Sequence, residues 1–234
     1  MGVSYGPTTI ITDGLVLCLD AANPKSYSGT GTSWNDVYGP HTATITGATH
    51  NSDKGGCFIF DGANDYAKID DSSDFLFGTG SFTEEAWHKR GGNTTWEAPI
   101  VRGNEASWGG LWIDGYGTFR PYHYTESSGS NINFDTGEAA GTDWMHHVTT
   151  TTNTGSAVIV KVYKNGVLQG SQTTSVSGWQ PKNTSVGTDI YIGGIFGASY
   201  WYEGKIAVCR IYKGKALSAA EVLKNYDALK GRFV

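Results

Sequence analysis

Apolar and polar residues alternate in short runs along most of the chain, and this two-residue period is typical of half-buried β-strands. Ser81–Arg90 shows the pattern, with Phe82 and Ala86 on one face and Thr83 and Trp87 on the other. The remaining strands are predicted at Gly14–Ala21, Thr42–Ala48, Ala98–Arg102, Gly110–Asp114, Thr118–Tyr124, Ile132–Phe134, Trp144–Thr152, Ala157–Lys164, Val167–Thr174, Asp189–Gly193 and Lys205–Tyr212, in addition to two within Cys57–Asp71.

The stretch Cys57–Asp71, CFIFDGANDYAKIDD, organises the rest of the pattern. Phe58 and Phe60 alternate with their neighbours before an acidic, glycine-containing corner, and alternation resumes at Tyr66. Asp, Gly and Asn suit such a corner because they tolerate positive φ and bond their own backbone. We therefore expect a hairpin of two short strands here.

One segment near the end of the chain has helical spacing instead. In Ser218–Leu229 four apolar residues are predicted to fall on one face, namely Val222, Leu223, Tyr226 and Leu229. Ser218 followed three residues later by Glu221 predicts a capping box. Gly231 is expected to stop the helix.

Many short strands with turn signals between them, and a single helix, predict an all-β fold. We expect a two-sheet antiparallel jelly-roll sandwich with one short C-terminal helix, covering residues 14–234 as one domain. Residues 1–13 are predicted to form an N-terminal arm.

Composition narrows the function classes. The chain has 33 glycines, 13% aromatic residues and only 17% charged residues, which suits tight turns and spare aromatic side chains. A net charge of −5 without a basic stretch argues against nucleic acid as a partner. We find no apolar run long enough to span a bilayer and no signal peptide, so we expect synthesis in a cytoplasm without membrane insertion. Three cysteines without paired spacing are expected to be buried.

Several runs, taken together in their order and spacing, resemble the LamG-like, concanavalin A-like lectin/glucanase family over roughly residues 14–230. They are GLVLCLDAANP, SWND, FIFDGANDYAKI, GSFTEEAWHK, IVRG, WMHHVTTT, VYKNGV, IYIGG and GKIAVCRIYKGKALSAAEVLKNY. The resemblance implies two antiparallel sheets of six or seven strands. It also implies that Trp34, Trp87 and Trp144 are core residues.

Two further runs, the opening DGLVLCLDAANPKSYSGTGTSWND and the ending GKALSAAEVLKNYDALKGRF, resemble structural proteins of tailed bacteriophages, such as capsid decoration, fibre and tail proteins. This resemblance implies a non-enzymatic virion protein that displays a lectin-like domain toward host surface glycans. Other virion proteins would bind its N-terminal arm, and copies would form a homo-oligomer on the particle. The alternatives are a bacterial carbohydrate-binding module and, with less support, a glycoside hydrolase.

Oxygen-bearing side chains at the corner make a candidate calcium site. Asp61, Asn64 and Asp65 lie within five residues, with Asp70 and Asp71 nearby, and Ca²⁺ prefers such ligands. Relatives often carry calcium near a sheet edge, which the resemblance extends to this chain. The alternative is that these residues only cap a turn.

The residues offer little for catalysis. Retaining glycosidases need two carboxyl groups about 5–5.5 Å apart, whereas the adjacent residues Glu84 and Glu85 should point to opposite faces of a strand. By the same rule, His146 and His147 should point to opposite faces of their strand, so they should not act together on a metal ion or as a base. The spacing of His and Cys does not fit zinc, and no glycine-rich phosphate loop opens a helix. We therefore expect no enzyme activity.

Aromatic residues in polar segments are candidates for carbohydrate binding, since ligand sites combine aromatic surfaces with a few polar groups. The alternative use of such residues is protein–protein contact, where Trp and Tyr are enriched. The candidates are Trp96, Trp108, Trp112, Trp179, Tyr200, Trp201 and Tyr202.

Overall fold

The structure is a computed structural model that describes residues 9–92, 94–104, 107–125, 131–181, 189–194 and 200–234. In these ranges the strands are β1 Leu15–Asp20, β2 Ser33–Asn35, β3 Thr42–Thr46, β4 Thr49–Asn51, β5 Cys57–Asp61, β6 Tyr66–Ile69, β7 Phe82–Arg90, β8 Glu97–Asn104, β9 Ser107–Ile113, β10 Tyr122–His123, β11 Ile132–Asn133, β12 Met145–Asn153, β13 Ala157–Lys164, β14 Val167–Ser175, β15 Ile190–Ile192 and β16 Glu203–Lys213. The α-helix is α1, Ala219–Phe233.

Two antiparallel sheets contain all of these strands, which confirms the predicted all-β sandwich. In sheet A the order is β14-β13-β12-β7-β16-β5-β4, and β1 also pairs with β16. In sheet B the order is β11-β10-β9-β8-β15-β6-β3-β2. Within the described ranges each sheet therefore has eight strands, one or two more than the resemblance implied.

The main core lies between the two sheets. Phe58 and Phe60 contribute from sheet A, and Ile69, Ile100 and Leu111 contribute from sheet B. All five side chains are at most 1% exposed. Inward side chains alternate with outward ones on both sheets, as the two-residue period predicted.

The three predicted core tryptophans are buried, but on two different sides of sheet A. Trp34 lies in the main core between the sheets. Trp87 and Trp144 lie on the outer face of sheet A, where they pack against the end of α1. The helix therefore covers a second apolar surface of the sandwich.

The corner in Cys57–Asp71 connects the two sheets. Both predicted strands are present, but β5 pairs with β4 and β16 in sheet A, while β6 pairs with β3 and β15 in sheet B. The predicted hairpin is therefore wrong. Alternation defines which side chains of a strand point inward, and it contains no information about which strand is the partner.

Helix α1 begins as predicted and ends later. Ser218 is the N-cap and forms the capping box with Glu221. The prediction that Gly231 stops the helix is wrong, because contacts at the far end hold it in place. Arg232 donates to Asp20 Oδ1 over 2.7 Å, and the Phe233 ring stacks on Trp87 with centroids 4.3 Å apart.

Asn225 joins the helix, sheet A and the N-terminal segment. Its Nδ2 donates to Glu85 Oε2 over 2.7 Å and to Tyr212 Oη over 2.8 Å. Its Oδ1 accepts from the backbone N–H of Ile11 over 2.8 Å. The helical pattern did not identify this residue, and it wrongly assigned Leu223, which is 45% exposed, to the buried face. Residues 1–8 of the predicted arm lie outside the described residues.

Cys18, Cys57 and Cys209 are buried free thiols, as predicted. No helix in the described part of the chain has the length and apolar character needed to cross a membrane.

Candidate functional site

The adjacent residues Glu84 and Glu85 point to opposite faces of β7, as predicted. Glu84 faces the core and pairs with Arg102 over 3.0 Å. Glu85 faces α1, where it pairs with Arg210 and lies 3.0 Å from His146 Nε2. Burial alone would raise the pKa of Glu85, but Arg210 and His146 outweigh it and hold that pKa at about 2. Both carboxylates are fully buried parts of ion pairs.

The histidines are also part of the packing. His146 stacks on Trp87 on the helix side of sheet A, whereas His147 contacts Phe119 on the core side. His88 Nδ1 lies 2.8 Å from the hydroxyl of Tyr202. In the described residues no group of three or more His, Cys, Asp or Glu side chains is placed to hold a metal ion.

The three corner residues proposed for calcium serve the turn. Asp61 Oδ1 accepts from the backbone N–H groups of Ala63 and Asn64, and the Asp65 carboxylate accepts from the N–H of Asp61. The hydrogen bond from Ala63 is the main reason why the pKa of Asp61 is lowered. Asp65 is only 8% exposed.

The groove beside this corner has more cationic than anionic side chains. Asp61 lines a groove of about 270 Å³ that it shares with the cationic residues Lys89, Arg90 and Lys205 and with the carboxylate of Glu203. Cations at the same groove oppose the binding of Ca²⁺, whose ligands are oxygens. The arrangement is that of a capped turn.

Three of the predicted carbohydrate-binding aromatics are buried. Trp112, at 1% exposure, lies under the outer face of sheet B, whereas Trp179 and Tyr202, at 0%, lie in the main core. The structure removes Trp179 and Tyr202 from the candidate set. Trp179 packs in the main core near His123, with ring centroids 6.4 Å apart. Tyr202 packs edge-on against Phe60 and bonds to His88. Neither ring can offer a face to a ligand. Trp108 lies in β9 opposite Gly103, and its side chain is outside the described residues.

The outer face of sheet B carries a group of partly exposed rings that we call the aromatic platform, made of Tyr66, Tyr191 and Trp201. The Tyr66 ring lies 5.9 Å from Tyr191 and 6.2 Å from Trp201, centroid to centroid. Gly194 makes room for this arrangement, because a Cβ there would lie 2.6 Å from the Trp201 ring. The backbone of Gly194, at φ +152°, also disfavours larger residues.

Charged groups border the platform. Lys68 is paired with Tyr191 across β6 and β15, so the two side chains are neighbours on the outer face. Its ammonium group lies 2.8 Å from Asp70 Oδ1 and 3.3 Å from Asp189 Oδ2. These two carboxylates, Asp70 first, raise the pKa of Lys68.

A second group of rings on the same face encloses a small cavity, and we call it the aromatic box. It consists of Trp96, Trp112, Tyr122 and Tyr200, which line a volume of about 250 Å³. The planes of neighbouring rings meet at 63° for Trp96 and Trp112, 80° for Trp96 and Tyr122, and 87° for Trp112 and Tyr200. The rings pack with Ala98 and Val101, which project outward from β8.

The structure thus brings together some predicted residues and adds others. Trp96, Trp112 and Tyr200 meet in the box, and Trp201 joins the platform. The sequence analysis missed Tyr66, Tyr122 and Tyr191 as candidates. A signal for two of them was present, since Tyr66 alternates with buried Ala67, and Tyr191 lies between buried Ile190 and Ile192.

Comparison with known families and structures gives a consistent fold. A model of the concanavalin A-like lectin/glucanases superfamily matches residues 61–223, which is more than half of the chain. A comparison with curated proteins finds no match.

Three solved structures illustrate the similarity. Trypanosoma rangeli sialidase in complex with 2,3-difluorosialic acid matches with a TM-score of 0.68 and 19% identity, over 96% of this chain and 34% of the sialidase. Domain 4 of AbnA, a GH43 extracellular arabinanase from Geobacillus stearothermophilus, in complex with arabinotriose, matches with a TM-score of 0.63 and 19% identity. The match covers 91% of this chain and 98% of the arabinanase domain. The receptor binding domain of botulinum neurotoxin mosaic serotype C/D matches with a TM-score of 0.66 and 16% identity, over 92% of this chain and 51% of the neurotoxin domain.

The chain therefore spans about a third of the sialidase and nearly all of the arabinanase domain. At these identities the likeness concerns the fold alone.

Proposed function

The chain belongs to the concanavalin A-like lectin/glucanase superfamily, and from that premise we propose that it is a non-catalytic domain that binds glycans on the outer face of sheet B. The observation that carries the proposal is the aromatic platform beside Lys68, Asp70 and Asp189.

The platform has the two kinds of group that a sugar needs. A pyranose ring has apolar C–H faces, which would pack on the partly exposed rings of Trp201 and Tyr66. Its hydroxyl groups need hydrogen-bond donors and acceptors at the edge of that surface, and Lys68, Asp70 and Asp189 supply both. The Asp70 side chain is 88% exposed, so its carboxylate is accessible to a sugar bound on the platform.

The buried carboxylates support a binding role without hydrolysis. Glu84 and Glu85 lie on opposite faces of β7 and are each held in an ion pair, so they cannot form the pair of carboxyl groups that a retaining glycosidase uses. At the platform, Asp70 and Asp189 both bind the same ammonium group of Lys68.

The arabinanase domain adds support from outside the chain. It was solved in complex with arabinotriose, and nearly its whole length matches this fold. A domain of this size and architecture can therefore hold an oligosaccharide by itself.

The proposal is tested on a glycan array with the wild type, Trp201→Ala and Tyr116→Ala. Tyr116 is 94% exposed and belongs to neither aromatic group, so it is the matched control. We expect Trp201→Ala to weaken binding at least about tenfold, or about 1.4 kcal/mol, while Tyr116→Ala binds like the wild type. Equal binding by all three proteins would refute the platform as the site.

A parallel assay addresses hydrolysis. Incubation with any glycan that binds should release no reducing sugar. Release that disappears in Trp201→Ala would instead identify the domain as a hydrolase.

The finer proposal places the domain on the particle of a tailed bacteriophage, as a decoration, fibre or tail-associated protein that contacts host polysaccharide. It rests on the resemblance of the two chain ends to such proteins. Mass spectrometry of purified particles distinguishes it from a free bacterial carbohydrate-binding module. In this proposal the arm of residues 2–13 attaches the domain to other virion proteins, so deleting it should prevent incorporation and leave the circular dichroism spectrum unchanged. Because Ile11 bonds to Asn225, a deletion limited to residues 2–8 is the matched variant that spares this contact.

A further inference from the structure

The aromatic box differs in chemistry from the platform. Only four described residues line its cavity, and all four are aromatic: Trp96, Trp112, Tyr122 and Tyr200. No described carboxylate, lysine, arginine or histidine is among the lining residues. A ligand in the box would therefore meet ring surfaces rather than paired charges.

Near-perpendicular rings around a small volume suit a compact cation. Each ring has a negative face, and the faces of several rings can surround one positive charge without a carboxylate. Three successive ring pairs in the box meet at angles between 63° and 87°, so the rings form walls instead of a flat stack. The volume of about 250 Å³ is sufficient for a compact group such as trimethylammonium.

One ring of the box already interacts with a positive charge. The guanidinium carbon of Arg120 lies 5.2 Å from the Trp96 ring centroid, although Arg120 does not line the cavity. Arg120 is held in place by a 2.8 Å hydrogen bond to Asn133 Oδ1 and lies 3.7 Å from Asp114 Oδ2. The Trp96 ring of the box therefore lies within cation–π distance of a guanidinium group.

The scarcity of hydrogen-bonding groups decides which cation fits. A sugar or a primary ammonium group would lose its hydrogen bonds to water on entering the box and would find few replacements. The Tyr122 hydroxyl is already hydrogen-bonded to Tyr124, whose pKa is raised mainly by that bond. A fully methylated ammonium group has no N–H group, so it loses no hydrogen bond to water when it enters the box.

We propose that the aromatic box binds a quaternary ammonium group, such as the trimethylammonium end of choline. This site is additional to the glycan-binding platform and does not depend on it. The same chemistry occurs in phosphocholine headgroups and in trimethylated lysine.

The test is a set of calorimetric titrations of the whole chain with choline, tetramethylammonium, ethanolamine and 3,3-dimethylbutan-1-ol. The last compound has the shape of choline without its charge. We expect choline and tetramethylammonium to bind at least about tenfold more tightly than the neutral analogue and ethanolamine. Equal binding of choline and the neutral analogue would overturn the proposal, and so would the absence of saturable binding by either quaternary ion.

Variants then locate the site. Tyr200→Leu and Tyr122→Leu should each weaken choline binding several-fold, whereas Tyr191→Leu, on the platform, should not. Circular dichroism spectra confirm that each variant is folded. A loss with Tyr191→Leu equal to that with Tyr200→Leu would overturn the assignment to the box.

The two proposals fail separately. Glycan binding that depends on Trp201 without any choline binding would refute only the box, and choline binding without glycan binding would refute only the platform. Titration with phosphocholine and with a trimethyl-lysine peptide shows which source of the group is preferred.

Discussion

At the scale of single residues, the interior contains three histidines that are held neutral. His88, His123 and His147 are at most 1% exposed. Burial is the main cause that lowers the pKa of His123 and of His147 to about 3, and it lowers the pKa of His88 well below the usual range. Charges facing these groups act in the same direction, with Arg102 near His123, and Arg90 and Lys164 near His88.

The buried histidines predict acid sensitivity that begins at mild pH. Between a folded pKa of about 3 and an unfolded pKa of about 6.5, the unfolded chain binds more protons, so the free energy of unfolding falls as the pH falls. Each histidine can contribute up to about 2 kcal/mol of loss between pH 6.5 and 5. Burial also raises the pKa of Glu84, Glu97 and Asp65, and these three carboxyl groups act in the opposite direction at any pH where they stay protonated only in the folded chain.

Urea unfolding at pH 7, 6 and 5 measures this loss. His123→Phe should reduce the slope of the free energy against pH, because it removes one of the three histidines that take up a proton on unfolding. His50→Gln, at an exposed histidine, is the matched control. A flat profile from pH 7 to 5 would contradict the prediction.

Local alternation was enough to predict that adjacent residues, such as His146 and His147, lie on opposite faces of a strand. It could not show which loop aromatics turn inward. Trp179 and Tyr202 lie in or beside polar segments, and both are buried through contacts with residues distant in sequence, such as Asn153 and His88. Such burial depends on the assembled sandwich.

At the scale of elements, helix α1 shows how tertiary contacts override a local stop signal. Glycine is unfavourable inside a helix, yet the helix passes through Gly231, because Arg232 and Phe233 are fixed to sheet A beyond it. The N-terminal cap was predictable because its signal is local. The C-terminal end was not, since it depends on Asp20 and Trp87.

This geometry predicts a stabilising substitution. Gly231→Ala should raise the free energy of unfolding by about 0.5–1 kcal/mol, because a Cβ at this position meets nothing within 4 Å and alanine favours the helix. Gly214→Ala is the control, since its site is equally open but its φ is +73°. It should destabilise by about 1 kcal/mol. Thermal or urea unfolding distinguishes the two, and equal effects would contradict the argument.

At the scale of the whole molecule, the corner at Asp61 joins the two sheets, and the hypothesis of a calcium site there stays untested. The turn already uses the Asp61 carboxylate for two backbone N–H groups. We therefore expect EDTA to leave the melting temperature unchanged. Asp61→Ala should cost about 1 kcal/mol, equally with and without calcium, because it removes hydrogen bonds of the turn. A melting temperature that rises with calcium only when Asp61 is present would contradict this expectation.

The sandwich itself could be predicted from the sequence, because strand period and turn residues are local signals that repeat along the chain. The connection at Asp61 and the composition of the box could not. Trp96 and Trp112 were both candidates, but their meeting with Tyr122 and Tyr200 depends on the strand order and on the position of Tyr200 ahead of β16. The sequence predicts which face of a strand each side chain occupies, but the strand order of the assembled sheets determines which side chains contact each other.

Ile11 and Phe233 are both held on the outer side of sheet A, opposite the face of sheet B that carries the aromatic groups. A tag, linker or solid support joined near either residue 9 or residue 234 would lie behind sheet A, while the rings of sheet B would point away from it. Sensor chips loaded through residue 9 or through residue 234 should therefore present the same binding surface to a soluble glycan.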